Sequence, residues 1–356
     1  MKSLVYICSI LLFFSGTTAF HIKKHVSFFN HWHCIGIKNR IDFSKPHAIN
    51  IGELPLVLWK NELDNKLITT LNICKHMGSK LDNAKITNTG CLKCQYHGLE
   101  MSESDKFGET IEHQGKIFWA FQPYRKTPFH IPFFDNPAYE NSFLEIDMDS
   151  SLTDSAFNTM DLRHPEYVHN SVLGFGNTVP PTNIKFYDYN SIRSRKSHDI
   201  TKVKQVGMSF DYASNPLMKK INNNIQRTKN FHMFVYPTFS WSRVSFEDKN
   251  LFIGVNLLPL EKQKTRWYIT ISHNYYTSDV GKNFMKMMAG VILSQDFFQM
   301  RNQYVDNKLK QAVLFSHIFT NEEPIIELRK LFQDYKYPNM DACVELYNTY
   351  KSNIKK

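Results

Sequence analysis

Two pairs of soft metal ligands, Cys74-Lys75-His76 and Cys94-Gln95-Tyr96-His97, form the pattern CxHx17CxxH. Each pair joins one thiolate to one imidazole, so the four can hold a two-iron cluster with both sulfurs on one iron and both imidazoles on the other. Structural zinc is the competing use of such residues, but zinc more often pairs cysteine with cysteine and histidine with histidine. Cys91 and Cys94 also form a CxxC, and a Cys91 ligand belongs to the zinc reading alone. Neutral imidazoles in place of two thiolates raise a cluster's potential to roughly −150 to +300 mV, against about −400 mV for an all-cysteine plant-type cluster. Electrons from a ferredoxin would run downhill into it.

A second ligand set lies in the run from Asn158 to His169, which reads NxxDxxHxxxxH with Asp161, His164 and His169 at its marked positions. Five residues along an ideal helix turn through about 500°, leaving the two rings roughly 140° apart. Binding one metal therefore requires the helix to end or distort between them, and Pro165 gives a reason, since the residue before a proline resists the α conformation. The protease pattern HExxH is absent, because Glu166 lies two residues after His164. Two histidines suit ferrous iron when a carboxylate completes the set and leaves positions open. Asp296, in the apolar surroundings of Ser294 to Met300, is the expected third ligand, because an unpaired charge there would be costly. Asp306, between polar and charged neighbours, reads as solvated and is the alternative.

Taken together, these motifs resemble the Rieske non-heme iron oxygenases, the terminal oxygenase (alpha) subunits of ring-hydroxylating and demethylating systems. The resemblance covers nearly the whole chain past its N-terminal presequence. It implies a [2Fe-2S] Rieske cluster on Cys74, His76, Cys94 and His97, and a mononuclear Fe(II) on His164, His169 and Asp296. Asp161 would then link that iron to the cluster of a neighbouring subunit in a homotrimer, as a carboxylate bonded to two ligand histidines fixes both rings. The co-substrate would be O2, with electrons from NAD(P)H or ferredoxin delivered by a ferredoxin or reductase. The implied outcome is hydroxylation, cis-diol formation or demethylation of a small hydrophobic or aromatic substrate. Within the family, pheophorbide a and chlorophyllide a oxygenases act on tetrapyrroles; the lone Cys343 departs from the CxxC of the former. Lys75 and Gln95 stand where proline is frequent and Met77 where arginine is, departures that bear on loop rigidity and potential. Tyr96 is placed to donate its hydroxyl toward the cluster. A Rieske protein confined to electron transfer or redox sensing is the alternative, against which His164, His169 and Asp296 argue.

The elements that must position these residues follow from the hydrophobic pattern. The chain has 356 residues, enough for two domains. The fold class expected is α+β: an N-terminal all-β Rieske domain over residues 42–127, then a catalytic domain over 128–356 with an antiparallel sheet covered by helices, of helix-grip type. Runs such as Leu54–Trp59, Leu67–Ile73 and Lys116–Phe121 read as strands that carry the ligand pairs on loops. Residues 128–151 read as a linker, 157–167 as a helix capped by Asp154 or Ser155, and 283–310 as a long helix. Phe231–Tyr236, Leu251–Leu257 and Thr265–Ile271 read as sheet strands, and 214–230 as a polar insertion. Phe234, Tyr236, Phe239, Trp241, Phe252, Trp267, Phe284 and Met288 are available to line an apolar pocket, or simply to pack.

Residues 1–19 have the basic start, apolar centre and small-residue end of a signal peptide. Residues 20–41 contain no acidic side chain and read as a transit segment or linker, pointing to the plastid of an alga with a secondary plastid, with the secretory pathway or cytoplasm as alternatives. The formal charge is +10. Its basic residues are scattered, which ranks nucleic acid last and favours an acidic ferredoxin, with membrane association at most peripheral. Six cysteines suggest no disulfide framework.

Overall fold

The computed structural model describes residues 27–169, 181–187, 204–213, 227–303, 305, 308–314, 316–318 and 322–354. Its N-terminal part consists of nine short strands: β1 (His33–Ile37), β2 (His47–Ile51), β3 (Leu54–Lys60), β4 (Leu67–Leu71), β5 (Lys85–Ile86), β6 (Leu92–Lys93), β7 (Glu100–Met101), β8 (Glu109–His113) and β9 (Lys116–Ala120). They form three antiparallel three-stranded sheets, β1-β9-β8, β2-β3-β4 and β5-β6-β7. The two ligand pairs sit on the loops after β4 and β6.

The rest is a seven-stranded antiparallel sheet in the order β10-β16-β15-β14-β13-β12-β11. Its strands are β10 (Glu140–Met148), β11 (Thr182–Tyr187), β12 (Gln205–Ala213), β13 (Arg227–Val235), β14 (Phe239–Phe246), β15 (Lys249–Glu261) and β16 (Lys264–His273). Among the described residues six helices accompany it: α1 (Leu152–Met160), α2 (His164–Tyr167), α3 (Asp279–Arg301), α4 (Lys308–Val313), α5 (Glu323–Phe332) and α6 (Met340–Ile354). Alternation along each strand gives the sheet two faces. On one, Trp267 donates to the Ser155 hydroxyl of α1 at 3.1 Å, and Phe234 meets Phe332 of α5. On the other, Met233, Val235, Phe239 and Phe252 pack with Ile131 beneath residues 128–139.

This parity divides the expected pocket residues. Phe234 and Trp267 lie on the helix face, whereas Phe239, Trp241 and Phe252 stack with Phe129, Phe133 and Tyr139 on the opposite one. They pack there, away from the helices.

Several boundaries differ from expectation. Residues 33–37 are not linker: β1 pairs with β9, and Ile35 and Ile37 are buried in the core. The basic Lys38 pairs with Glu112 at 2.8 Å, and Arg40 donates to the Phe143 carbonyl at 2.9 Å. Charges that looked like a targeting composition therefore serve the folded domain, which begins before residue 42. The expected linker contains β10, an edge strand held along its length by β16. The expected helix 157–167 is two helices, α1 and α2, separated at residues 161–163; α1 begins at Leu152 and is capped by Ser151, whose hydroxyl accepts from the Asp154 N–H at 3.1 Å. The long helix ends at Arg301, and α4 is separate. Residues 1–26, most of the insertion at 214–230, and Asp306 lie outside the described residues.

The sheets β1-β9-β8 and β2-β3-β4 share one hydrophobic core with the large sheet, Phe29, Ile35, Ile117 and Trp119 lying in the same cluster as Leu257, Trp267 and Tyr268, while β5-β6-β7 packs with Cys74 and Cys94 in a second cluster. Lys116 of β9 is buried in that contact and donates to Asn256 Oδ1 at 2.8 Å and Thr270 Oγ1 at 2.9 Å. Among the described residues no helix is long and apolar enough to cross a membrane.

Candidate metal centres

The two Cys/His loops are built alike. In the first, the Cys74 N–H donates to the Ser79 carbonyl at 2.8 Å and the Gly78 N–H to the Cys74 carbonyl at 2.9 Å. In the second, the Cys94 N–H donates to the Leu99 carbonyl and the Gly98 N–H to the Cys94 carbonyl, both at 2.9 Å. Both glycines have φ of +75°, which a side chain resists; Gly78 has open space where a Cβ would stand, so conformation rather than room requires it. The turn buries Cys74 and Cys94 and leaves His76 and His97 exposed, with ring centroids 4.6 Å apart. Sulfurs inside and imidazoles outside is the polarity a two-iron cluster needs. The N–H of Tyr96, with further help from Cys74, the N–H of His97 and the Ser79 hydroxyl, holds the Cys94 thiol below its usual value against the opposing effect of burial. Tyr96 thus contributes its backbone to the sulfur; its ring is exposed and rests on His97 at 3.9 Å. The Cys91 thiol turns to the Thr89 carbonyl.

At the second site, α1 stops because Asp161 takes an extended conformation (φ −74°, ψ 121°). Its carboxylate then accepts from the N–H groups of Arg163 at 2.8 Å and His164 at 3.4 Å, covering donors that the start of α2 leaves open. The helix then ends between the two histidines, as their spacing requires: α2 stops at Tyr167, and Pro165 is accommodated in its first turn, where its missing N–H costs nothing. His169 follows just past the end of α2. Asp296 comes from the middle of α3, where it is buried.

The three side chains converge. His169 Nε2 lies 3.2 Å and His164 Nε2 3.6 Å from Asp296 Oδ1. Among the described residues these three are the one group of His, Cys, Asp or Glu whose ligand atoms all lie within 4.8 Å of one another. Cis ligands on a metal with bonds near 2.1 Å stand about 3 Å apart, so the spacing fits a facial triad. The loop ligands pair by type, the two rings 4.6 Å apart and the Cys74 thiol beside that of Cys94, as a two-iron cluster with sulfurs on one iron and imidazoles on the other requires.

Outer partners set the tautomers. His164 Nδ1 donates to the Asp161 carbonyl at 3.0 Å and His169 Nδ1 to Gln295 Oε1 at 2.9 Å, so both Nε2 lone pairs face the Asp296 carboxylate. Three electron-rich atoms aimed at one point call for a cation. Burial pushes the His164 imidazole down, which favours the neutral, ligating form. Burial acts likewise on His169, but the hydrogen bond and charge of Asp296 outweigh it and hold that ring above its usual value. Asn158 Nδ2 donates to Asp296 Oδ1 at 3.3 Å. Gln295 and Ser79 were not singled out from the sequence, because neither has a spacing that marks it.

Comparisons with known proteins agree with this division. Residues 31–118 match the model of the Rieske [2Fe-2S] domain. Pheophorbide a oxygenase, chloroplastic, from Oryza sativa subsp. japonica is 23% identical over 189 residues, covering 44% of this chain and 36% of that protein. The chain thus matches little more than a third of the length of that relative. Dicamba monooxygenase bound to dicamba superposes with a TM-score of 0.68 at 17% identity, over 86% of this chain and 97% of that one. Pseudomonas putida CBB5 NdmA with caffeine gives 0.68 at 14%, over 92% and 96%. At these identities the structures show a shared fold: a Rieske β domain joined to a large antiparallel sheet with helices.

Proposed function

We propose that this chain is the terminal oxygenase of a Rieske non-heme iron system, hydroxylating or demethylating an aromatic or tetrapyrrole substrate with O2 and electrons from a ferredoxin or reductase. The observation that carries this reading is the convergence of His164, His169 and Asp296 in a chain that also presents the paired Cys/His loops. When bound, the cluster and the ferrous iron supply one-electron transfer and dioxygen activation.

The chain's own residues do the rest. Cys74, Cys94, His76 and His97 would hold the cluster, and His164, His169 and Asp296 would hold the single iron through three protein ligands. Gln295 and the Asp161 carbonyl keep both Nε2 atoms aimed. The Asp161 side chain is 36% exposed and borders His164 at 3.9 Å, while His76 and His97 are exposed on their loops. A homotrimer in which one subunit's His pair meets the next subunit's Asp161 fits both exposures.

The pheophorbide a oxygenase relative and the aromatic ligands of the two structural neighbours support the substrate class, and the chloroplastic relative supports a plastid location reached through the N-terminal segment. The test is iron and acid-labile sulfide on anaerobically purified protein. Wild type is expected to hold about three irons and two sulfides per chain, falling to about two irons in His164→Ala, with O2-dependent product only in the former. Two irons in both would make the chain an electron carrier, and zinc without sulfide would overturn both sites.

A further inference from the structure

Strand β13 lays His232 on the helix face of the sheet, two residues from Phe234 and opposite Met208 and Ser242 of the flanking strands. Its environment is unusual. The Nδ1 atom is buried without a hydrogen-bond partner. The residue nonetheless keeps part of its surface open, so the ring borders space within the fold. Its ring stands nearly perpendicular to Phe210, centroids 5.0 Å apart, and lies near enough to His164 for a charge on one to oppose a charge on the other. Burial first, and that repulsion second, push its imidazole down to about 4, leaving a neutral ring with one N–H and one lone pair at pH 7.

A desolvated polar ring that bonds to nothing is costly, and folded proteins carry few of them. Its neighbours have other recourse: the Tyr212 hydroxyl of β12 is within hydrogen-bonding reach of the Glu166 carboxyl of α2, which adds to burial in holding the phenol up, while Tyr212 draws the carboxyl down against the larger effect of burial. His232 has an aromatic ring beside it and His164 within electrostatic reach.

We propose that His232 is the substrate's hydrogen-bonding contact on the sheet side of the iron site, binding a neutral polar atom, such as a carbonyl, hydroxyl or ring N–H, of an otherwise apolar guest whose body lies along Phe210. This rests on the oxygenase reading above. It narrows the substrate class: a hydrocarbon without a polar atom would leave the ring unfilled.

The experiment uses the full-length, iron-loaded chain and two probes of one shape, 1-naphthol and naphthalene, with binding followed by tryptophan fluorescence, which does not depend on the iron. Wild type is expected to prefer 1-naphthol about tenfold, near the upper worth of one hydrogen bond in a desolvated pocket. His232→Phe should reduce the preference to under about twofold while keeping naphthalene affinity, and His232→Asn should restore part of it. A preference that survives in His232→Phe, or its absence from wild type, overturns the proposal. So does a fall from three irons to two in His232→Phe, which would make the ring a metal ligand. Wild type holding only two irons, with the preference still lost in His232→Phe, would sink the oxygenase reading and leave the guest contact standing.

Discussion

Gln295 shows how much of a metal site is held by groups that never touch the metal. Its Oε1 accepts from His169 Nδ1, which fixes the proton on the outer nitrogen and leaves Nε2 free to bind. Gln295→Leu keeps the bulk and removes the acceptor. Iron affinity at the single-iron site is expected to fall 10- to 100-fold, the usual cost of losing an outer-shell partner, while sulfide content stays at about two per chain. Competition against a graded series of chelators would measure it, and unchanged affinity would mean that Asp296 and Asn158 suffice to orient the triad. Asp161 illustrates the same economy by a different route. Its carbonyl orients His164, its carboxylate covers the N–H groups that begin α2, and part of that carboxylate stays exposed.

At the scale of elements, α1 matters because it delivers Asp161 and then stops. Its first turn is fixed by Ser151 and by Asp154, whose carboxylate meets Lys310 of α4 at 2.7 Å with both side chains nearly buried. α4 has no buried apolar residue of its own, and this pair joins it to α1. Lys310→Met should destabilise the chain by about 3 kcal/mol, because it leaves a buried carboxylate without its cation. Denaturant titration would read this, and a change below about 1 kcal/mol would place the pair among the weak surface bridges. The elements also show where sequence is and is not informative. His164, His169 and Asp296 were legible because apolar context and ligand type flag them, and β3, β4 and β9 because their runs are continuous. β10 was not: as an edge strand its residues are mostly half-buried, so the alternation that marks a strand is blurred. β1 was masked by basic neighbours whose acidic partners, Glu112 and Glu145, lie more than seventy residues away. The face on which Trp241 and Phe252 point depends on strand pairing, which no local pattern reveals.

For the whole molecule, the decisive fact is that both halves share one interior. His33, fully buried on β1 with its Nε2 at 3.0 Å from the Phe28 carbonyl, is pushed by burial down to about 4. Between pH 6.5 and 4 the unfolded chain binds a proton that the folded chain refuses, so stability is full above that window and falls as the pH drops through it. The loss attributable to His33 should be on the order of 2 kcal/mol at pH 5. Denaturation midpoints at pH 7 and pH 5 for wild type and His33→Gln would isolate it, and equal shifts in the two proteins would show that other groups govern acid unfolding. Lys116 carries the matter further. Its ammonium finds its acceptors, Asn256 and Thr270, on a sheet that begins twenty residues after its own strand ends. The electron-carrying half is therefore not an exchangeable module: a chimera that grafts a foreign β domain onto this sheet inherits two polar side chains shaped for a cation, and must supply one at the same point or repack the seam.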